Sequence, residues 1–206
     1  MTEQPCGAFP SHMTPVLVAH GTRSAAGVSV VAAIADLVSE RIGRTRVAFV
    51  DVLGPTPSDV LSDLDGPAVV VPAFLAAGYH VRKDLPDHVA QSGHPDVTVT
   101  PSLGPDPALA GVLHRRLVQA GWRAGDAVVL AAAGSSDASA CADVGRAAAQ
   151  LAELVGVPVE LGFVTTASPT VPEAVVAARA HGTGRVVIAA YLLAPGLFHT
   201  LSLIHI

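Results

Sequence analysis

The chain has 206 residues, 50% of them hydrophobic and only 14% charged. That length suits one large domain or two small ones, and it can bury a substantial core. Twelve basic residues against 17 acidic ones give a net charge of −5 with no basic tract. This balance argues against nucleic acid as a partner, and no apolar run approaches the roughly 20 residues of a membrane span.

Residues 1–14 contain Pro, Gly and Ser without periodicity and read as a flexible leader. No basic region followed by an apolar segment marks a signal peptide, and Cys6 and Cys141 match no metal or redox spacing. A cytoplasmic chain with free thiols is therefore expected. From Pro15 onward, short Val/Ala/Leu runs alternate with helical segments. The expected strands are Pro15–Ala19, Arg46–Val52, Ala68–Pro72, Val97–Thr100, Ala127–Ala132, Val159–Val164 and Arg185–Tyr191. The expected helices are Gly27–Arg41, Ser58–Leu64, Arg82–Ala90, Pro107–Ala120, Ser139–Val155 and Val171–Ala180. Such alternation implies an α/β fold with parallel sheets and right-handed crossovers. Continuous apolar runs suit strands covered on both faces.

The second half repeats the first. Phe49-Val50 recurs as Phe163-Val164 and Pro55-Thr56 as Pro169-Thr170, both at an offset of 114 (163 − 49; 169 − 55). His20-Gly21 falls opposite Ala133-Gly134, and Phe74-Leu75 opposite Tyr191-Leu192. Two similar lobes are expected, at 15–121 and 122–200, with the boundary near Gly121–Asp126. After its third strand the first lobe continues with helix, strand and helix, whereas the second stops soon afterwards. The tail Leu201–Ile206 matches nothing in the first lobe and equals one reading frame of a transposon-derived sequencing adapter. The second lobe is therefore expected to be truncated, with 201–206 a non-native tail.

His20 and His80 sit just past apolar runs that read as buried parallel strands, and Asp51 lies at the end of the run between them. Ligands in open α/β sheets bind beyond the carboxyl ends of the strands. A neutral imidazole there binds a metal or accepts a proton near pH 7. His20 belongs to His20-Gly21-Thr22-Arg23-Ser24. His80 belongs to Phe74-Leu75-Ala76-Ala77-Gly78-Tyr79-His80-Val81-Arg82-Lys83. Taken alone, His20 reads equally as structural, and His80 reads more readily as a helix-start residue. Asp51 reads either as a strand-end aspartate bonding the next backbone amides or as a third ligand.

These segments resemble the small sirohydrochlorin chelatases, over roughly Pro15 to Thr200. The Phe-Leu-Ala-Ala-Gly-Tyr-His-Val-Arg segment is the specific part of the likeness, and His-Gly-Thr-Arg supports it. The resemblance implies a class II chelatase-like fold of two Rossmann-like lobes, the second one incomplete here. It implies that His20 and His80 bind the metal and carry catalysis. Asp51 stands where the family usually has glutamate. In the second lobe Ala133 and Thr165 replace His20 and Asp51, and only His199 echoes His80. One complete site, in the first lobe, is the expectation.

Metal insertion into a tetrapyrrole needs two pyrrole protons to leave and the metal to shed its own ligands. Imidazoles serve both needs, and an incomplete His/His/carboxylate set releases a metal that a closed thiolate site would trap. The implied substrates are Fe²⁺ or Co²⁺ and a flat polycarboxylate ring, with no organic cofactor. Phe74, Leu75 and Tyr79, with Leu192, Leu193, Leu197 and Phe198, are candidates for the ring faces. Arg23, Arg82 and Lys83 are candidates for its carboxylates, and Ser135 and Ser136 for hydrogen bonds to it. His12, His88, His94, His114 and His181 have no expected role. A non-catalytic metal-delivery protein, or a hydrolase holding a metal on His20, Asp51 and His80, would use the same residues. Oligomeric state is left open by the sequence.

Overall fold

The computed structural model describes residues 9–181 and 184–196. In the first half, β1 (Thr14–Ala19), β2 (Arg46–Phe49), β3 (Ala68–Pro72) and β4 (Val97–Val99) form one parallel sheet in the order β2-β1-β3-β4. Val16 and Val18 are fully buried in β1, as is Val70 in β3. Apolar residues on both faces are what a helix-covered parallel strand requires. The helices here are α1 (Ala25–Ile42), α2 (Pro57–Ser62) and α3 (Leu85–Ser92). In the second half, β5 (Ala127–Ala132), β6 (Val159–Phe163) and β7 (Val186–Tyr191) form a second parallel sheet in the order β6-β5-β7. Its helices are α4 (Pro107–Gln119), α5 (Ala138–Val155) and α6 (Val171–His181). The expected α/β class and its two parallel sheets are both present.

The internal repeat holds at the level of individual hydrogen bonds. Val50 N donates to Ala19 O and Asp51 N to His20 O, while Val164 N donates to Ala132 O and Thr165 N to Ala133 O. Phe49 N donates to Pro55 O and Phe163 N to Pro169 O. Val52 and Thr166, at equivalent places, both have positive φ, of 67° and 62°. Thr56 and Thr170 then open α2 and α6. The Thr56 hydroxyl and amide hold the Asp59 carboxyl below its usual range, and the Thr170 amide and hydroxyl do the same to Glu173. A capped helix start saturates amides that have no partner within the helix.

Two details differ from the sequence expectation. β2 ends at Phe49 and not Val52, because the chain turns at Val52 with positive φ. The helix expected at Arg82–Ala90 is a π-helical turn, His80–Asp84, followed by α3 from Leu85. The chain also divides by contact into two units, 1–73 with 83–101 and 74–82 with 102–206. Gly121–Asp126 lies inside the second of these units. α4 packs on α5 and β7, so it belongs with the second sheet. The segment 74–82, which carries His80, groups there as well.

The second unit's core is built on β5 and α5, with Val128, Leu130, Val144, Ala147 and Leu151 packed together. Leu130 is fully buried at mid-strand. Leu130→Ala is expected to cost about 3 kcal/mol, through lost transfer energy and an unfilled cavity. A urea denaturation midpoint lowered accordingly would check this. No helix among the described residues is long and apolar enough to cross a membrane.

Candidate functional site

In the first unit, the turn after β1 places His20 at the carboxyl edge of the sheet. His20 is exposed, with Nδ1 3.2 Å from the Gly21 carbonyl oxygen. Gly21 has φ of +101°, and a Cβ there would lie 2.0 Å from the Asp51 carbonyl oxygen. Only glycine permits this approach. The Asp51 amide donates to the His20 carbonyl at 3.0 Å. His20 and Asp51 are thus brought to one edge by direct backbone contact. The Asp51 carboxylate accepts from the Val52 amide at 2.7 Å, the local arrangement open to any strand-end aspartate. Arg23 is exposed in the same turn. Lys83 also belongs to this unit and pairs with Asp87 one turn along.

The second unit holds the other set. After β3 the chain runs through Phe74 to Gly78 and enters the π-helical turn at His80. Insertions of this kind are frequent at functional sites. Phe74 stacks on the His80 ring at a centroid distance of 6.4 Å, and Tyr79 meets it edge-on at 6.1 Å. Tyr79 is 62% exposed, while Leu75 is partly buried and packs against the core. Arg82 Nε donates to the Ala77 carbonyl at 2.8 Å and lies 3.9 Å from an Asp137 carboxylate oxygen. Ser135 Oγ accepts from the Asp137 amide at 3.1 Å, and a Cβ on Gly78 would lie 3.8 Å from Ser135 Oγ. The loop after β5 and the His80 loop are therefore neighbours. Ser136 is exposed beside them, and Leu192 and Leu193 are half-buried.

Leu197, Phe198, His199 and the tail 201–206 lie outside the described residues, as does most of the leader. Among the described residues, no three His, Cys, Asp or Glu side chains form a metal-holding group. Of the histidines with no expected role, His88 sits 3.1 Å from Ser58 Oγ, and His114 packs on Trp122.

Sequence reasoning passed over three side chains that hold the His80 loop. The Tyr191 hydroxyl donates to the Leu75 carbonyl at 2.9 Å, and the Asp143 carboxylate accepts from the Ala77 amide at 2.8 Å. Asp143 is also paired with Arg146. Asp137 caps α5 through the amides of Ser139 and Ala140 and faces Arg82. Burial, with the charges of Asp143 and Asp106 behind it, pushes the Tyr191 phenol up to about 12, so it remains a donor near neutral pH. Asp143 had a legible signal. It occupies the apolar face of α5, among Ala140, Val144, Ala147 and Leu151, where an acid needs a specific partner.

A model of the CbiX family matches residues 14–120 and 127–203. The sirohydrochlorin cobaltochelatase of Methanothermobacter thermautotrophicus is 27% identical over 129 residues, covering 51% of this chain and 90% of that protein. The structure of SirB from Bacillus subtilis with Fe³⁺ superposes with a TM-score of 0.77 at 24% identity, over 91% of this chain and 79% of SirB. SirB from Bacillus subtilis subspecies spizizenii in complex with cobalt gives a TM-score of 0.64 at 19% identity, over 92% of this chain and 90% of that one. At these identities the two structures establish the fold. The family match spans both repeats and includes the turns that carry His20, Asp51 and His80, so this chain belongs to the CbiX family of sirohydrochlorin chelatases.

Proposed function

We propose that the protein inserts Fe²⁺ or Co²⁺ into sirohydrochlorin, a step of sirohaem or cobalamin formation. The observation that carries this reading is the family match across both repeats, 14–120 and 127–203. The reaction consumes one divalent ion and the free ring, and it yields the metallated ring and two protons. Imidazole serves both halves of that balance, because it binds first-row metals and accepts protons near neutrality. His20 and His80 take these roles, with Asp51 as a weaker oxygen donor beside His20. The metal is a substrate, so a firm multidentate cage would oppose turnover.

Phe74 and Tyr79 flank His80 and offer apolar faces to a flat ring. Arg23 and Arg82, both exposed, are assigned to the ring's carboxylates, and Ser135 and Ser136 to hydrogen bonds with it. Lys83 is assigned there as well, in exchange with its Asp87 partner. In this reading the metal-handling imidazoles belong to the first sequence repeat, and the second repeat contributes the hydroxyls after β5.

Incubation with sirohydrochlorin and either Co²⁺ or Fe²⁺, followed by absorption spectroscopy, tests the reading. Acceleration of metallation over the spontaneous rate is expected with at least one ion. Tight metal binding without acceleration would instead identify a delivery protein. No acceleration with either ion would overturn the proposal.

A further inference from the structure

The His80 loop is tied to the second unit at successive backbone groups. Gly104 N donates to the Phe74 carbonyl at 3.0 Å. The Tyr191 hydroxyl then takes the Leu75 carbonyl, and the Asp143 carboxylate takes the Ala77 amide. Both of these side chains are buried, Asp143 at 4% exposure and Tyr191 at 5%. Both bonds are long-range, joining residues 66 and 116 positions apart. A carboxylate removed from water needs partners, and Asp143 has two, the Ala77 amide and Arg146. The core does not itself require an acid at this place on α5, where the surrounding face is Ala and Val. What Asp143 reaches is a loop amide three residues before His80.

We infer that Asp143 and Tyr191 are positioning residues for metal insertion, holding the Phe74–His80 backbone so that the His80 imidazole is presented in a fixed orientation. This rests on the proposed chelatase reading. Neither residue touches substrate, and both act through the loop. Fixed placement of a reacting group matters because a displacement of about 1 Å can cost on the order of 100-fold in rate. Tyr191 anchors the carbonyl side of the loop. Asp143 anchors the amide of Ala77, and Arg82 Nε takes the carbonyl of the same residue.

The test compares wild type with Tyr191→Phe, Asp143→Asn and Asp143→Ala in steady-state metal insertion, varying metal and tetrapyrrole separately. Amide hydrogen exchange over 74–82 is measured on the same proteins. Tyr191→Phe keeps the ring and removes only the donor, so it remains informative if Asp143→Ala does not fold. For Tyr191→Phe the KM for metal is expected to rise about 10-fold, by loss of one anchoring hydrogen bond. The KM for the tetrapyrrole should stay within about twofold. A smaller folded fraction would lower kcat alone, so a selective change in metal KM separates positioning from plain destabilisation. Exchange over 74–82 should accelerate while α5 and β7 stay protected. Asp143→Asn, which retains an acceptor for the Ala77 amide, should keep more activity than Asp143→Ala. An active wild type with unchanged metal KM and loop exchange in Tyr191→Phe overturns the positioning role alone. An inactive wild type overturns the chelatase reading, and the role with it.

Discussion

Replacement of His80 by alanine is expected to lower metal insertion by roughly 100-fold or more while the protein stays folded. The magnitude follows from removing a group that both accepts a proton and offers a metal ligand, since general-base contributions alone run to about 10²–10⁴. The fold should survive because His80 lies in a half-buried turn outside both sheets. Its ring stacks on Phe74 and meets Tyr79 edge-on, and Tyr79 is largely exposed. The structural cost is therefore expected to be within about 1 kcal/mol. Initial rates with sirohydrochlorin, together with a thermal melt, check both parts. His88→Ala is the matching control: His88 bonds Ser58 on a helix of the first unit, and its loss should leave the rate unchanged. Undiminished turnover in His80→Ala would move the chemistry away from this turn.

The second large effect is expected for Gly21→Ala. A methyl group there would stand 2.0 Å from the Asp51 carbonyl oxygen, well inside any allowed contact. The oxygen cannot easily withdraw, because the Asp51 amide is bonded to the His20 carbonyl in the same pair of turns. The backbone at φ +101° adds its own penalty for any L side chain. Together the two terms are expected to cost about 3 kcal/mol or more, and to displace both His20 and Asp51. Gly43→Ala separates them. Gly43 has nearly the same φ, +103°, but nothing lies within 4 Å of its added Cβ. It should cost about 1–3 kcal/mol, the conformational part alone, and less than Gly21→Ala. Equal urea midpoints for the two variants would show that the contact between the turns after β1 and β2 is not tight.

This part of the candidate site has a short-range basis. A glycine directly after an apolar run, recurring as Gly134 in the second repeat, marks a close backbone approach in both places. A Cβ on Gly134 would lie 1.8 Å from the Thr165 carbonyl oxygen, as one on Gly21 would from that of Asp51. The motif is a short-range necessity, so it left a short-range trace. The π-helical turn left none. Nothing in His80-Val81-Arg82-Lys83-Asp84 distinguishes one extra residue per turn from an ordinary helix start, and only Pro86 hints that α3 begins later. The premature end of β2 was hidden likewise, because Val50 and Val52 both favour strands, yet Val52 turns with positive φ.

Alternation of apolar runs with helical segments, the duplication at an offset near 114 residues and the placing of His20, Asp51 and His80 past strand ends all follow from patterns a few residues long. Such patterns are enforced locally, by two-sided burial of strands and by the saturation of helix-end amides, so they can be read without coordinates. Tertiary structure alone decided which unit holds the His80 loop. It also decided that a phenol 116 residues away and a buried carboxylate 66 residues away take up its backbone groups. Those partners meet because helix and strand faces pack, and packing joins residues whose separation along the chain carries no periodic signal.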